Sequence, residues 1–119
     1  MKKITICDIQ RLKGNDTPFA TITAYDYISA QCADAVGIPL VLVGDSAAMV
    51  VYGHKTTLPA TVEMMEAHVS AVSRGLTGKP LIADMPFLAH RKGFDLTMDA
   101  VDTAIGSQRD RPRLAALER

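Results

Sequence analysis

The sequence has little cysteine, no excess charge of either sign and no long apolar run. Each shortage removes a class of function. Only Cys7 and Cys32 occur, too few for a disulfide scaffold and without metal-type spacing. They read as ordinary thiols, buried or half-buried. Lysine plus arginine and aspartate plus glutamate number 13 each, so the formal net charge is zero. Without a net positive field, no nucleic-acid partner is expected. No stretch approaches the roughly 18 apolar residues of a membrane span. The start, Met1-Lys2-Lys3-Ile4-Thr5, has no apolar run behind it to make a secretory leader. The expectation is a cytoplasmic chain in a reducing compartment, with no membrane partner. Walker, GxGxxG and GxSxG patterns are also missing, so phosphate-loop, dinucleotide and serine-hydrolase readings have no support. His54, His68 and His90 lack HExxH spacing, and a zinc site is not expected.

What is present is an ordinary globular composition, 48% hydrophobic and 22% charged. Ile6, Ile9 and Leu12 recur at helical spacing within Ile4 to Lys13, and Gly14-Asn15-Asp16 stops the pattern. Phe19 to Thr23 reads as a short strand. Ile28 to Val36 reads as a helix with Ile28, Cys32 and Ala35 on one side and Gly37 at C′. The run Leu40-Val41-Leu42-Val43 suits a strand buried on both faces, as in a parallel sheet. Thr61 is the expected N-cap of a helix whose apolar face is Val62, Met65, Val69 and Val72, with Glu63 in its first turn and Gly75 at its end. Leu81-Ile82-Ala83 is another short strand, ending in Asp84. A last helical pattern begins near Asp95.

Strands alternating with helices imply right-handed βαβ units and a parallel sheet. Three such units make a poor independent domain, because both sheet edges stay open. The pattern reads as a piece of a larger α/β fold.

Asp45 follows the Leu40 to Val43 strand after one glycine, and Asp84 ends the Leu81 strand. Ligands of parallel α/β folds bind at the C-terminal ends of strands. On neighbouring strands, about 5 Å apart, the two carboxylates would converge on one spot. Close carboxylates repel unless a cation intervenes, and Mg²⁺ takes oxygen ligands. The competing reading is that each aspartate merely caps a loop or helix. Gly44-Asp45-Ser46 permits close approach of backbone and hydroxyl to a small anion, although it is also ordinary turn chemistry. The polar segment from Gly53 to Pro59 reads equally as a lid or as a connector. His68, inside a helix, reads as structural; His54 and His90 fall on loops where substrate contact is possible. Tyr25-Asp26-Tyr27 lies at the same presumed face, where packing at the mouth is its expected role.

Four segments in order carry a resemblance: Ile22-Thr23-Ala24-Tyr25-Asp26-Tyr27, Leu42-Val43-Gly44-Asp45-Ser46, Thr56-Thr57-Leu58-Pro59 and Ala83-Asp84-Met85-Pro86-Phe87. Together they resemble the ketopantoate hydroxymethyltransferases, over roughly Ile4 to Ile105. The resemblance implies an α/β fold, the first three β/α units of a TIM (β/α)8 barrel, which typically needs about 250 residues. It implies transfer of a hydroxymethyl group from 5,10-methylenetetrahydrofolate to 3-methyl-2-oxobutanoate, giving 2-dehydropantoate. The implied partners are a small 2-oxo acid and folate, and members of the family form homo-oligomers. Asp45 and Asp84 would belong to a Mg²⁺ site, and Asp45, Ser46 and Asp84 would contact the oxo acid. A 2-oxo acid held on the metal loses its C3 proton more readily.

Two departures from the family stand out. Ala47-Ala48 replaces a pair that usually includes glycine. The fourth strand of the family, with its lysine and glutamate, and the later glutamate that serves as base are not recognisable here, so no catalytic base is assigned. Residues 1–105 are read as the N-terminal part of the transferase domain and 106–119 as a divergent tail. Four of the seven arginines lie in the last eleven residues, suggesting a reading-frame change; a basic tail for a partner is the alternative. The chain is thus expected to be a truncated, inactive form. A non-catalytic subunit docking on an intact barrel, or binding only the oxo acid, is the second reading. A lyase of the related oxo-acid and phosphoenolpyruvate barrels is the third.

Overall fold

Short β-branched and aliphatic segments pair here in the order in which they occur along the chain. The computed structural model describes residues 3–89 and the backbone of residues 114–117. Strands β1 (Thr21–Thr23), β2 (Leu40–Val43) and β3 (Leu81–Asp84) are parallel, with Thr23 beside Leu42 and Val43 beside Ala83. A doubly wound sheet reverses its order at a switch point. This sheet runs β1-β2-β3 without reversal, as successive units of a (β/α)8 barrel do. The stretch read as a tail adds a further strand, β4 (Leu114–Leu117), parallel to β3. The helix expected near Asp95 and the loop residue His90 lie outside the described residues.

Helices α2 (Tyr27–Ala35) and α4 (Val62–Gly75) cover one face of the sheet. Their core with the strands is Ala30, Ala33, Val41, Val43, Met65, Val69, Val72, Leu81 and Ala83. Strand alternation explains the pattern within β2: Val41 and Val43 are fully buried toward the helices, whereas Leu40 and Leu42 on the other face are half-buried. The apolar run therefore has one sealed face rather than the two expected.

Thr61 caps α4 as its sequence implies, its Oγ1 accepting the Met64 N–H at 3.1 Å, with Glu63 in the first turn. Asp26 caps α2 by accepting the Ser29 N–H at 2.8 Å. At the other end Gly37, at φ +82°, closes a Schellman motif: its N–H bonds to the Asp34 carbonyl and the Ile38 N–H to that of Ala33. The face of α2 differs from the expected one. Ala30 and Ala33 are buried, while Ile28 and Cys32 are exposed, as is Ala35. Close helix approach explains this: a Cβ on Gly75 would lie 2.7 Å from Ala30 Cβ and from the Tyr27 carbonyl. The pairing selects the small face of α2, and leaves Ile28 outside.

Helix α1 (Ile6–Lys13) starts two residues later than expected because Thr5 and Asp8 form a capping box. It buries no residue; Ile9 and Leu12 are half-buried and Ile6 is exposed. Cys7 and Cys32 are both exposed thiols, not buried ones. They ride on the outward sides of α1 and α2. Among the described residues no helix is long and apolar enough to cross a membrane.

At the N-terminal ends of the strands, Lys79 Nζ reaches Asp34 Oδ1 at 3.2 Å and the Asp34 carbonyl at 2.7 Å. The Thr77 N–H also bonds to Asp34 Oδ1. Burial pushes the Asp34 carboxyl up, but the bonds from Thr77 and Lys79 and the lysine charge outweigh it, so Asp34 titrates below the ordinary carboxylate range. This end of the sheet is clamped electrostatically. The opposite end carries the polar loops.

Candidate metal and substrate site

The C-terminal ends of β2 and β3 deliver two aspartates to one place. Asp84 is the last residue of β3 and is 1% exposed; Asp45, two residues beyond β2, is 5% exposed. The Asp45 backbone N–H donates to Asp84 Oδ2 at 3.3 Å. Gly44 makes this approach possible, since a Cβ there would stand 2.9 Å from Ser46 Oγ and 3.4 Å from Asp84 Oδ2. The Ser46 hydroxyl and the Asp84 carboxylate thus both come up against the Gly44 backbone, with Asp45 next to them in the chain.

After Asp45 the chain turns at once into the single-turn helix α3 (Ala47–Val50), which the sequence did not announce. Ala47 and Ala48, its first two residues, are fully buried, and neither has a positive φ. The backbone here needs no glycine, so the alanine pair fits without strain. Ser46 stands at the N-cap position but makes no side-chain cap bond. Its Oγ lies instead 2.7 Å from the Tyr25 hydroxyl.

Tyr25, expected to pack at the mouth, also reaches the Ser46 hydroxyl. The segment Tyr25-Asp26-Tyr27 divides its labour: Asp26 caps α2, Tyr27 accepts a bond from Gln31, and Tyr25 turns to Ser46. The Asp26 carboxyl is held below its usual range by the Ser29 N–H, then by the Ser29 hydroxyl, with a smaller contribution from His68. His68, on α4, bonds through Nδ1 to the Tyr25 carbonyl at 2.7 Å and through Nε2 to the Tyr52 hydroxyl at 2.9 Å. One signal for it was legible. His68 sits three residues after Met65 and four before Val72, a polar residue inside an apolar stripe.

His54 is exposed, and only its backbone N–H is tied down, to the Ala48 carbonyl. Residues 53–59 form an exposed loop apart from half-buried Thr57. The structure does not bring them onto the two aspartates. Among the described residues no group of three or more His, Cys, Asp or Glu side chains gathers to hold a metal. Among the described residues, the two strand ends offer two carboxylates and no softer donor beside them. That donor set suits Mg²⁺, which is commonly held by one or two carboxylates and retains several waters.

The fold has close counterparts among solved structures. A 2,3-dimethylmalate lyase of the PEP mutase/isocitrate lyase superfamily superposes with a TM-score of 0.65 at 21% identity, covering 90% of this chain and 35% of that one. An oxaloacetate acetylhydrolase in complex with oxalate gives 0.62 at 23% identity, covering 81% and 33%. At such identities the likeness speaks for the fold alone. Sequence relatives are nearer. The 3-methyl-2-oxobutanoate hydroxymethyltransferase of Coxiella burnetii (strain Dugway 5J108-111) is 50% identical over 95 residues, covering 80% of this chain and 36% of the enzyme. That of Synechococcus sp. (strain RCC307) is 48% identical over 92 residues, covering 77% and 34%. The chain therefore spans about a third of the length of the curated relatives it matches. The family profile of ketopantoate hydroxymethyltransferase matches residues 3–109. With that match over most of its length, the chain belongs to the ketopantoate hydroxymethyltransferase family.

Proposed function

We propose that this chain carries the metal and oxo-acid part of a site that transfers a hydroxymethyl group from 5,10-methylenetetrahydrofolate to 3-methyl-2-oxobutanoate, giving 2-dehydropantoate. One observation carries the reading. Two aspartates 39 residues apart meet at adjacent strand ends, both buried, with a hydrogen bond between them. Two buried carboxylates at neighbouring strand ends are costly without a counter-charge. A divalent cation with hard-ligand preference supplies it.

Asp45 and Asp84 would hold Mg²⁺. When bound, the ion polarises the 2-oxo group and makes the adjoining C–H more acidic. The chain's own residues would then position the substrate. The Ser46 hydroxyl donates to the carboxylate of the oxo acid, and Gly44 leaves room for its approach. The half-exposed face of β2, Leu40 and Leu42, continues from the site into the sheet interior. No residue of this chain is proposed as the base that removes the C3 proton. The chain by itself is accordingly expected to bind metal and oxo acid and not to turn over.

Calorimetric titration of the chain with Mg²⁺, then with 3-methyl-2-oxobutanoate, tests this. Asp84→Asn keeps the side-chain volume and removes the charge. Mg²⁺ binding should fall at least tenfold in that variant, as expected when one of two charged ligands is removed. Identical titrations for the two proteins would refute the metal assignment.

A further inference from the structure

His68 joins two loops and a helix at one imidazole, one hydrogen bond away from Tyr25 and two from Ser46. A carbonyl oxygen only accepts, so the bond to Tyr25 O places a proton on Nδ1. In the neutral ring Nε2 is then an acceptor, and the Tyr52 hydroxyl donates to it. Both tyrosine rings stand edge-on to the imidazole, with centroids 6.5 Å and 5.5 Å away. The ring is held on three sides.

The Tyr25 hydroxyl carries that order to the site. A carboxylate ligand can only accept hydrogen bonds. Ser46 has a single proton, so if it donates to the ligand its bond with the Tyr25 hydroxyl must be one in which the serine oxygen accepts. The Tyr25 phenol, 2.7 Å away, is placed to give it. Nothing in the helix cap competes for that hydroxyl.

We propose that His68 is a positioning residue for the oxo-acid site: through Nδ1 it fixes the Tyr25 backbone, so that the Tyr25 hydroxyl donates to Ser46 Oγ and turns the serine proton toward the ligand carboxylate. The inference rests on the reading of Ser46 as an oxo-acid contact. A histidine that merely glued α4 to the loops would affect folding and leave ligand affinity alone.

Two measurements on the 119-residue chain test it. Long-range ¹H–¹⁵N NMR of the imidazole, at neutral pH and low protein concentration, should show a protonated Nδ1 and a bare Nε2. A proton on Nε2, or a ring averaging between the two forms, overturns the inference. In the second, 3-methyl-2-oxobutanoate is titrated into Mg²⁺-loaded wild type, His68→Leu, His68→Asn and Tyr25→Phe. Leu and Phe should weaken oxo-acid binding about tenfold, the order of one well-placed hydrogen bond. Asn, whose amide N–H reaches where Nδ1 stood, should restore most of it. Mg²⁺ affinity should be the same in all four. Equal oxo-acid affinities would sink the positioning role while leaving the site reading intact. Wild type that binds Mg²⁺ but no oxo acid would sink the Ser46 reading, and the positioning role with it. Tyr25→Phe removes a single oxygen, so the comparison survives if His68→Leu does not fold.

Discussion

Asp34 and Lys79 show how single residues set the stability of the end of the sheet remote from the site. The lysine side chain is 5% exposed and the aspartate 12%, so neither charge is well hydrated alone. Asp34→Asn should cost roughly 2 kcal/mol in denaturant unfolding, below the full loss of a completely buried pair. The sign of the pH effect follows from the lowered carboxyl. A carboxylate whose folded pKa is depressed contributes stability above its ordinary range and loses it as pH falls through the lowered value. The melting temperature of wild type should therefore drop on acidification more steeply than that of Asp34→Asn; parallel curves would disprove the clamp. Leu88 is a second residue-scale case. It is the one non-glycine residue with positive φ, 59°, among the described residues. Asparagine tolerates that conformation better, so Leu88→Asn should leave stability unchanged or raise it by up to about 1 kcal/mol by calorimetry. Of the candidate site, the approach of Asp45 to Asp84 was legible because both follow neighbouring strand ends, whereas Ser46 was singled out by the resemblance. Tyr25 was not legible, because nothing in a Tyr-Asp-Tyr run says which ring turns inward. That choice depends on Ser46, 21 residues away.

At the scale of elements, the caps were the most readable feature and the helix faces the least. Thr61 stood before an apolar-periodic run, and the helix begins there. Thr61→Ala should cost about 1 kcal/mol, measured by thermal unfolding. The buried side of α2 was misread because sequence periodicity rewards large residues, whereas a tight crossing rewards small ones. Gly75 and Ala30 decide that crossing. Gly75→Ala should therefore destabilise by about 2 kcal/mol despite alanine's better helix propensity, since the obstacle at 2.7 Å includes the Tyr27 backbone carbonyl. A stabilised Gly75→Ala protein would show that α2 and α4 can separate without loss. The half-buried outer side of β2 was equally hidden. An unbroken apolar run does not say how thoroughly each face is covered.

For the whole molecule, the parallel direction was readable from the alternation of elements; the sheet order followed only from the family resemblance, and the contribution of residues 114–117 from neither. An arginine-rich composition gave no strand signal there. Strand β1 is exposed at all three residues and pairs only with β2 among the described residues, and Ile22, Ile28, Val36 and Val50 are exposed nearby or on adjoining elements. An open, apolar edge invites association. Light scattering should show concentration-dependent association that Ile22→Lys reduces; an unchanged profile would mean that another surface is responsible. The contact between Asp45 and Asp84 has a further consequence in time. The two residues are separated by the whole of α4, so the Asp45 N–H and the Asp84 carboxylate meet only once β3 has found β2. Closing so long a loop comes early in cost and late in reward. A nascent chain would pass through an interval in which Asp45 has emerged and Asp84 has not. For the proposed Mg²⁺ site, metal capture would be a clock for the docking of the third strand, and Mg²⁺ uptake during refolding should coincide with β2–β3 pairing rather than with the first appearance of helix.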